Sequence, residues 1–129
     1  MQKIRESAEM YLETILVLSE KKAHVRSVDV VNKLKYKKSS VSVAMKNLRE
    51  EGLIDTDNDG YLTLTGEGLK IAQTIFERHE FFSTWLMQLG VDESIALEDA
   101  CRIEHVISQE SFQAIRKYVQ TCGSKKQIK

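Results

Sequence analysis

The architecture follows from residues 27–51, which read SVDVVNKLKYKKSSVSVAMKNLREE. Ser27 precedes apolar residues at Val28, Val31 and Leu34, and this spacing is typical of one face of a short helix. The Ser27 hydroxyl is suited to cap the first turn of such a helix. The opening of this segment therefore predicts a helix that ends at about Leu34.

A second helix is predicted after a tight, lysine-rich turn over residues 35–38. Ser39 or Ser40 can cap it, and it should extend to about Glu51, with Gly52 as its stop. Its inner face would carry the apolar residues Val41, Ala44, Met45 and Leu48. A short helix, a tight turn and a second helix form the helix-turn-helix pattern.

Two runs of β-forming residues follow, at 53–56 and 61–64, and a turn that ends in Asp59-Gly60 separates them. Alternating β-formers around an Asp-Gly turn predict a hairpin, which at this position would be a wing. The turn also matches the first half of a calcium-binding loop. Gly66 stands where that loop needs a bidentate glutamate, so we interpret these acids as a polar wing tip.

The remaining chain predicts further helices on both sides of this segment. Their expected ranges are 4–19, 66–89 (capped by Thr65 and ended by Gly90), 92–107, and a last one from Ser108 or Ser111 to about Val119. The predicted fold class is mainly α. An N-terminal winged helix-turn-helix domain, 1–65, would precede a helical dimerisation and metal-binding domain, 66–129.

Composition limits the class of protein. The 129 residues are 42% hydrophobic and include no proline and two cysteines without a disulfide-framework spacing, which favours a reduced, cytoplasmic protein. No apolar run is long enough for a membrane span. The net charge of zero hides a basic segment, 21–49, and an acidic one, 92–110. A basic segment favours a polyanion partner, whereas an acidic one favours cations or a solvated face.

The start of the second helix is the candidate nucleic-acid surface. Lysine side chains and helix N-termini suit phosphates, and serine hydroxyls suit phosphates or base edges. The residues expected to face a groove are Lys37, Lys38, Ser39, Ser40, Ser42 and Lys46. The alternative is a capped surface helix, but the wing and the basic segment favour binding to double-stranded DNA.

A candidate metal site lies at Cys101, Glu104 and His105. At about 100° per residue these three share one helix face, with Ile95, Ile103, Val106 and Ile107 expected on the other side. A thiolate, a carboxylate and an imidazole one turn apart can bind one transition metal. The alternative is a buried cysteine beside a surface Glu-His pair.

Three further residues have two interpretations each. Met10 and Glu13, one turn apart off the apolar stripe of the first helix, either pack on a neighbouring element or supply a thioether and a carboxylate. His79 is either a surface residue or a ligand. The segment 79–83 resembles a zinc-protease motif, but Ser83 replaces its second histidine, and no other catalytic constellation is present.

The C-terminal helices carry more apolar surface than one thin domain can cover. The residues concerned are Phe81, Phe82, Trp85, Leu86, Leu89, Phe112, Ile115 and Val119. We therefore expect a twofold homodimer through these helices.

With these motifs in place, the sequence resembles the diphtheria toxin repressor family of iron- and manganese-dependent repressors. The matching segments are Ser7–Leu12, the helix-turn-helix with its wing, Arg78-His79, and Ala100–Val106. The resemblance covers about residues 4–119. It implies a non-enzymatic, metal-activated repressor that binds palindromic operator DNA as a homodimer and controls metal-ion homeostasis genes. The alternative is a winged-helix DNA-binding regulator without metal control.

The resemblance also implies roles for single residues. The implied ligands of the main site are Met10, Cys101, Glu104 and His105, while Glu13 and His79 match ligand positions of the manganese-responsive branch. Ser39 and Ser42 match DNA-contacting positions, and Lys37 and Val43 stand at further contact positions. Ser83 and Leu97 stand where the iron-dependent branch has ancillary ligands, so a complete second site of that type is not expected.

The expected cofactor is a divalent transition metal. A thiolate and a thioether favour softer, later ions, which predicts Fe(II), with Co(II), Ni(II) or Zn(II) as mimics. If Glu13 and His79 also bind, the site can accept the harder ion Mn(II).

Overall fold

The computed structural model describes residues 2–128, with side chains described for residues 6–121. The chain packs as two compact units, the first ending at Phe76 and the second beginning at Glu77. The elements are α1 (Gln2–Lys21), α2 (Ser27–Leu34), α3 (Lys38–Glu50), β1 (Ile54–Thr56), β2 (Leu62–Leu64), α4 (Gly66–Gln88), α5 (Glu93–Val106) and α6 (Gln109–Ile128). The predicted domain boundary at 65/66, which coincides with the start of α4, stays a prediction, and the two compact units divide within α4.

The first unit is a winged helix-turn-helix, which confirms the predicted fold class. Strands β1 and β2 pair antiparallel, with Ile54 opposite Leu64 and Thr56 opposite Leu62. Val25, outside these strands, forms an isolated antiparallel bridge to Leu62. The core beneath the wing is made of aliphatic residues from all these elements: Leu12, Ile15, Val30, Val41, Met45, Leu48, Ile54, Leu62 and Ala72.

Helix starts differ from the sequence prediction at α2 and α3. The N-cap of α2 is Arg26 rather than Ser27, because the Asp29 carboxylate accepts the Arg26 backbone N–H at 2.8 Å. The N-cap of α3 is Lys37, without a side-chain cap, so Ser39 is already helical. Solvent can satisfy the open N–H groups there, since this end of α3 is exposed.

The structure confirms Thr65 as the cap of α4 and selects one of the two predicted caps of α6. The Thr65 hydroxyl accepts the Gly68 N–H at 3.2 Å. The Ser108 hydroxyl accepts the Ser111 N–H at 3.1 Å, which selects Ser108 as the start of α6. The backbone of α6 extends to Ile128, beyond the predicted end at about Val119, and continues through Gly123.

Asp29 links the α1–α2 connection to α2. Lys22 Nζ donates to its Oδ1 at 2.6 Å, and this contact, followed by the Arg26 N–H, lowers the pKa of Asp29 below its usual value. A depressed carboxylate pKa stabilises the fold at neutral pH, and that contribution disappears as the pH falls through the lowered pKa.

The second unit has an aromatic core of its own, which corrects part of the dimer prediction. Phe82 and Phe112 are each 1% exposed, and their rings lie 5.8 Å apart. Phe81 and Trp85 pack against them. Phe82 and Phe112 are therefore core rather than surface, while Phe81 and Trp85 remain partly exposed. The apolar residues that this unit does expose are Met87, Leu89, Ile95, Leu97, Val106 and Tyr118.

Across the described part of the chain, no helix combines the length and apolar character needed to cross a lipid bilayer.

Candidate metal centre and nucleic-acid interface

Helix α5 turns an acidic residue inward. Its buried residues are Ala96, Ala100 and Glu104, spaced four apart along one face. Ile95 and Val106, which were expected on the side of the helix away from the candidate ligands, are 53% and 65% exposed. The two alanines make the inner face small enough for close packing, and Glu104 continues their row into the interior.

The three predicted α5 ligands lie together. One ligand atom each from Cys101, Glu104 and His105 falls within 4.8 Å of the others. His105 Nε2 lies 4.0 Å from Glu104 Oε2, and the side chains of His105 and Glu104 are 6% and 0% exposed. Cys101 is a half-buried free thiol. Helical spacing alone produces this arrangement, because residues three and four apart project from the same face.

The two carboxylate oxygens of Glu104 have different surroundings. Oε1 lies 3.0 Å from Nδ1 of His79, whose side chain is 24% exposed. Oε2 is buried and accepts no hydrogen bond from any residue of the described part of the chain. A buried carboxylate is costly unless it is paired or coordinates a cation, so Oε2 is suited to a metal ion. His79 is thus partly buried against the Glu104 carboxylate, and its interpretation as an ordinary surface residue is wrong.

The donor set fits a divalent transition metal. Thiolate, imidazole and carboxylate are the ligands that Fe(II), Zn(II) and their neighbours bind in proteins. Cys101, Glu104 and His105 would hold the ion, while His79 contacts the other oxygen of the Glu104 carboxylate. When bound, the metal would supply a positive charge that compensates the buried Glu104 carboxylate.

The other two predicted ligands lie on α1 in the first unit. Glu13 is 9% exposed and Met10 is half-buried. Their helix is locally tightened by Thr14, whose hydroxyl donates to the Met10 carbonyl at 2.8 Å. Glu13 is thus a buried acid on a face where the sequence predicted no core. Its role as a ligand, and that of Met10, stay predictions.

The positions that correspond to ancillary ligands carry no strong metal donor. Ser83 is 5% exposed, and its hydroxyl donates to the Glu80 carbonyl at 3.3 Å. Leu97 is 41% exposed and has only an aliphatic side chain. Neither residue offers a thiolate, imidazole or carboxylate to a second site.

Helix α3 presents the predicted nucleic-acid residues to solvent. Val41, Met45 and Leu48 are buried in the first core, which fixes the opposite face outward. Val43 is 60% exposed, an unusual position for a branched apolar side chain. The remaining predicted contact residues are also exposed: Lys37, Lys38, Ser39, Ser40, Ser42 and Lys46.

The base of the wing carries an aromatic and basic group that sequence reasoning missed. The His24 ring stacks on the Tyr61 ring at 4.2 Å, and the Arg26 guanidinium lies 4.8 Å from the centre of the same ring. Arg26 also donates to the Tyr61 hydroxyl at 3.3 Å. The only sequence signal was the alternation of His24, Val25 and Arg26, whose middle residue is buried while its neighbours are exposed.

The wing turn is closed by hydrogen bonds to Asp57. One carboxylate oxygen, Oδ1, accepts the backbone N–H groups of Asp59 and Tyr61, both at 2.9 Å. Gly60 adopts a positive φ of 83°, which the turn requires. The interpretation of these acids as a polar wing tip agrees with this geometry.

Two family models match successive parts of the chain. The model described as the iron dependent repressor N-terminal DNA binding domain matches residues 3–62. The model described as the iron dependent repressor metal binding and dimerisation domain matches residues 65–127. Together they account for nearly all of the sequence.

Individual proteins give the same assignment. The chain is 36% identical to the transcriptional regulator MntR of Escherichia coli, over 94% of this chain and 78% of that protein. It is 30% identical to an HTH-type transcriptional regulator of Methanocaldococcus jannaschii, over 89% and 94%. A solved manganese-dependent transcriptional repressor in complex with manganese superposes with a TM-score of 0.80 at 26% identity and 88% coverage. The chain spans about half the length, 52%, of that structure.

Proposed function

Because the chain belongs to the iron-dependent repressor family of transcriptional regulators, we propose that it represses metal-ion homeostasis genes by binding palindromic operator DNA as a metal-loaded homodimer. In this proposal residues 1–65 read DNA, and residues 66–129 bind metal and form the dimer. The protein acts in the cytoplasm, where its DNA lies. It catalyses no reaction, as expected of a family whose relatives are transcriptional regulators.

One observation carries the metal part of the proposal. Glu104 is completely buried, and its Oε2 accepts no hydrogen bond within the described chain, although Cys101, His105 and His79 surround the carboxylate. Such an arrangement is unfavourable as a purely structural feature, since a buried charge needs compensation. A divalent cation provides that compensation. This favours metal control over the alternative of a winged-helix regulator without it.

The proposed switch uses ligands from both halves of the chain. Cys101, Glu104, His105 and His79 would bind the ion from one side, and Met10 and Glu13 of α1 would complete its coordination. A metal that engages both sets favours the domain arrangement in which both can reach it. Differential affinity for one arrangement is the physical requirement of a ligand-operated switch.

The ion we propose is Fe(II) or Mn(II). Relatives named MntR, and a solved neighbour that contains manganese, favour Mn(II). The thiol of Cys101 and the thioether of Met10 favour the softer Fe(II), with Co(II), Ni(II) and Zn(II) as mimics. Glu13 and His79 supply a carboxylate and an imidazole that suit either ion.

The decisive experiment selects DNA with and without metal. Immobilised protein is incubated with random-sequence duplexes in Mn(II), in Fe(II) under anaerobic conditions, and in chelator. The proposal requires enrichment of a palindromic sequence in at least one metal and its loss in chelator. If the same sequence is enriched equally in chelator, the protein is instead a winged-helix regulator that is not controlled by metal.

The DNA-reading surface is tested by its electrostatics. We expect Lys37→Ala and Lys46→Ala each to weaken duplex binding and to reduce the slope of log K against log salt by about one unit per lost phosphate contact. Lys117→Ala, an exposed lysine of the second unit, should leave the slope unchanged. If both α3 variants keep the wild-type slope, the recognition surface is elsewhere.

Val43 is the residue of this surface most suited to read sequence. An exposed methyl-bearing side chain on a recognition helix can contact the thymine 5-methyl group, which no phosphate contact distinguishes. Ser39 and Ser42, one turn before and beside it, supply hydroxyls for base edges. We therefore propose that Val43 contributes to operator choice while the lysines contribute to affinity.

The homodimer is proposed to form through the second unit. Its exposed apolar side chains include Leu89, Ile95 and Val106, which are 61%, 53% and 65% exposed and gain by burial against a second copy. Sedimentation at micromolar concentration should show a dimer. A monomer both with metal and without it would contradict this part of the proposal.

A further inference from the structure

Two neighbouring residues of α4 hold Glu104 from two sides. His79 Nδ1 lies 3.0 Å from its carboxylate Oε1, as described above. Arg78, the residue before His79, donates from one guanidinium nitrogen to the backbone carbonyl of Glu104 at 3.1 Å. The side chain and the main chain of one buried acid are thus both held by the Arg78-His79 pair.

Arg78 also holds the end of α5 itself. The nitrogen that contacts the Glu104 carbonyl donates to the Ile107 carbonyl at 2.9 Å, and the other terminal nitrogen donates to Gln109 Oε1 at 2.7 Å. The last carbonyls of a helix have no partner within the helix, and a cation at that end also compensates the helix dipole. Arg78, which belongs to α4, supplies both the missing hydrogen-bond donor and the positive charge. Through Gln109 it also joins the end of α5 to the start of α6.

The guanidinium has little freedom to leave this position. Its central carbon lies 5.6 Å from the ring centre of Phe112, which is 1% exposed. Three hydrogen bonds in the plane of the guanidinium and an aromatic ring beside it define one orientation.

We propose that Arg78 is a positioning residue that pre-forms the last turn of α5, so that Cys101, Glu104 and His105 are aligned before the metal binds. This inference rests on the proposed function, since it assigns a role at the same centre. Without Arg78, the ion must itself order the turn that carries two of its ligands. That ordering cost lowers the affinity, and losing an outer partner of this kind typically reduces metal affinity about 10- to 100-fold.

The test compares two arginines that flank the same ring. Arg116 lies 5.8 Å from the Phe112 ring centre and pairs with Glu77, but no hydrogen bond described for it involves α5. Full-length wild-type protein, Arg78→Met, Arg78→Lys and Arg116→Met are titrated with Co(II) and Mn(II) against a chromophoric chelator. The Co(II) absorption spectrum reports ligand geometry, and the melting temperature of the metal-free protein reports folding.

We expect Arg78→Met to bind both ions at least tenfold more weakly with an altered Co(II) spectrum, and Arg116→Met to match the wild type in both. Arg78→Lys should fall between them, because one ammonium can replace only part of the fork. Arg78→Lys also provides the test of the inference if Arg78→Met does not fold. Wild-type affinity and spectrum in every folded Arg78 variant, or an equal loss in Arg116→Met, would overturn the inference alone. A wild-type protein that binds neither ion would overturn the proposed function as well.

Discussion

His105→Ala should abolish metal-activated DNA binding and weaken the binding of both Mn(II) and Fe(II) by more than about a hundredfold, beyond the loss typical of outer partners. The imidazole is 94% buried beside Glu104, so its removal deletes one donor and leaves a cavity that water fills poorly. The loss should be the same for either ion, because neutral imidazole is a good ligand for both. Metal competition and fluorescence anisotropy on the selected duplex measure the two effects.

The chain offers a matched control for this variant. His24→Ala removes a histidine that stacks on Tyr61 in the first unit and belongs to no metal cluster among the described residues. Its metal affinity should equal that of the wild type. If the His105→Ala protein still responds to both ions, the cluster around Glu104 is not the sensing site.

Met10→Ala separates the two candidate ions. A thioether contributes more to a softer ion, so the Fe(II) response should weaken more than the Mn(II) response. Equal losses for both ions would indicate that Met10 acts by packing, which was the alternative interpretation from the sequence.

Gly68→Ala should be the most destabilising single-methyl change in the first unit. A Cβ at Gly68 would lie 2.0 Å from the backbone oxygen of Leu53, so α4 or the segment between α3 and β1 must shift. The shift would also disturb the bond from the Thr65 N–H to that same oxygen, now 3.0 Å long. We expect a loss of about 3 kcal/mol, which lowers the melting temperature by roughly 10 °C.

Gly66→Ala is the matched control, because it lies in the same helical turn and a Cβ there meets nothing within 4 Å. Alanine is the better helix former, so this variant should be neutral or more stable by up to about 1 kcal/mol. Equal melting temperatures for the two variants would show that α4 does not approach Leu53 as closely as described.

Local chemistry was sufficient to predict the winged helix-turn-helix. The two short helices, the hairpin and the Thr65 cap all follow from contacts between residues close in the chain, whose spacing the sequence displays directly. The same holds for the grouping of Cys101, Glu104 and His105, since one helical turn brings them together whatever surrounds the helix. The resemblance to a repressor family added Met10, Glu13 and His79 as ligand candidates that spacing alone left open.

Only tertiary packing determined which faces point inward. Periodicity predicts that α5 has two faces, but it left open whether Glu104 lies at the surface, and the structure buries this residue. The reason is that His79 and Arg78, 25 and 26 positions away, hold its carboxylate and carbonyl. Likewise, Phe82 and Phe112 are core residues because α4 and α6 meet. A helix can be predicted from its own sequence. The free-energy cost of burying a charge, or the gain from burying an aromatic ring, depends on which residues of another helix pack against it.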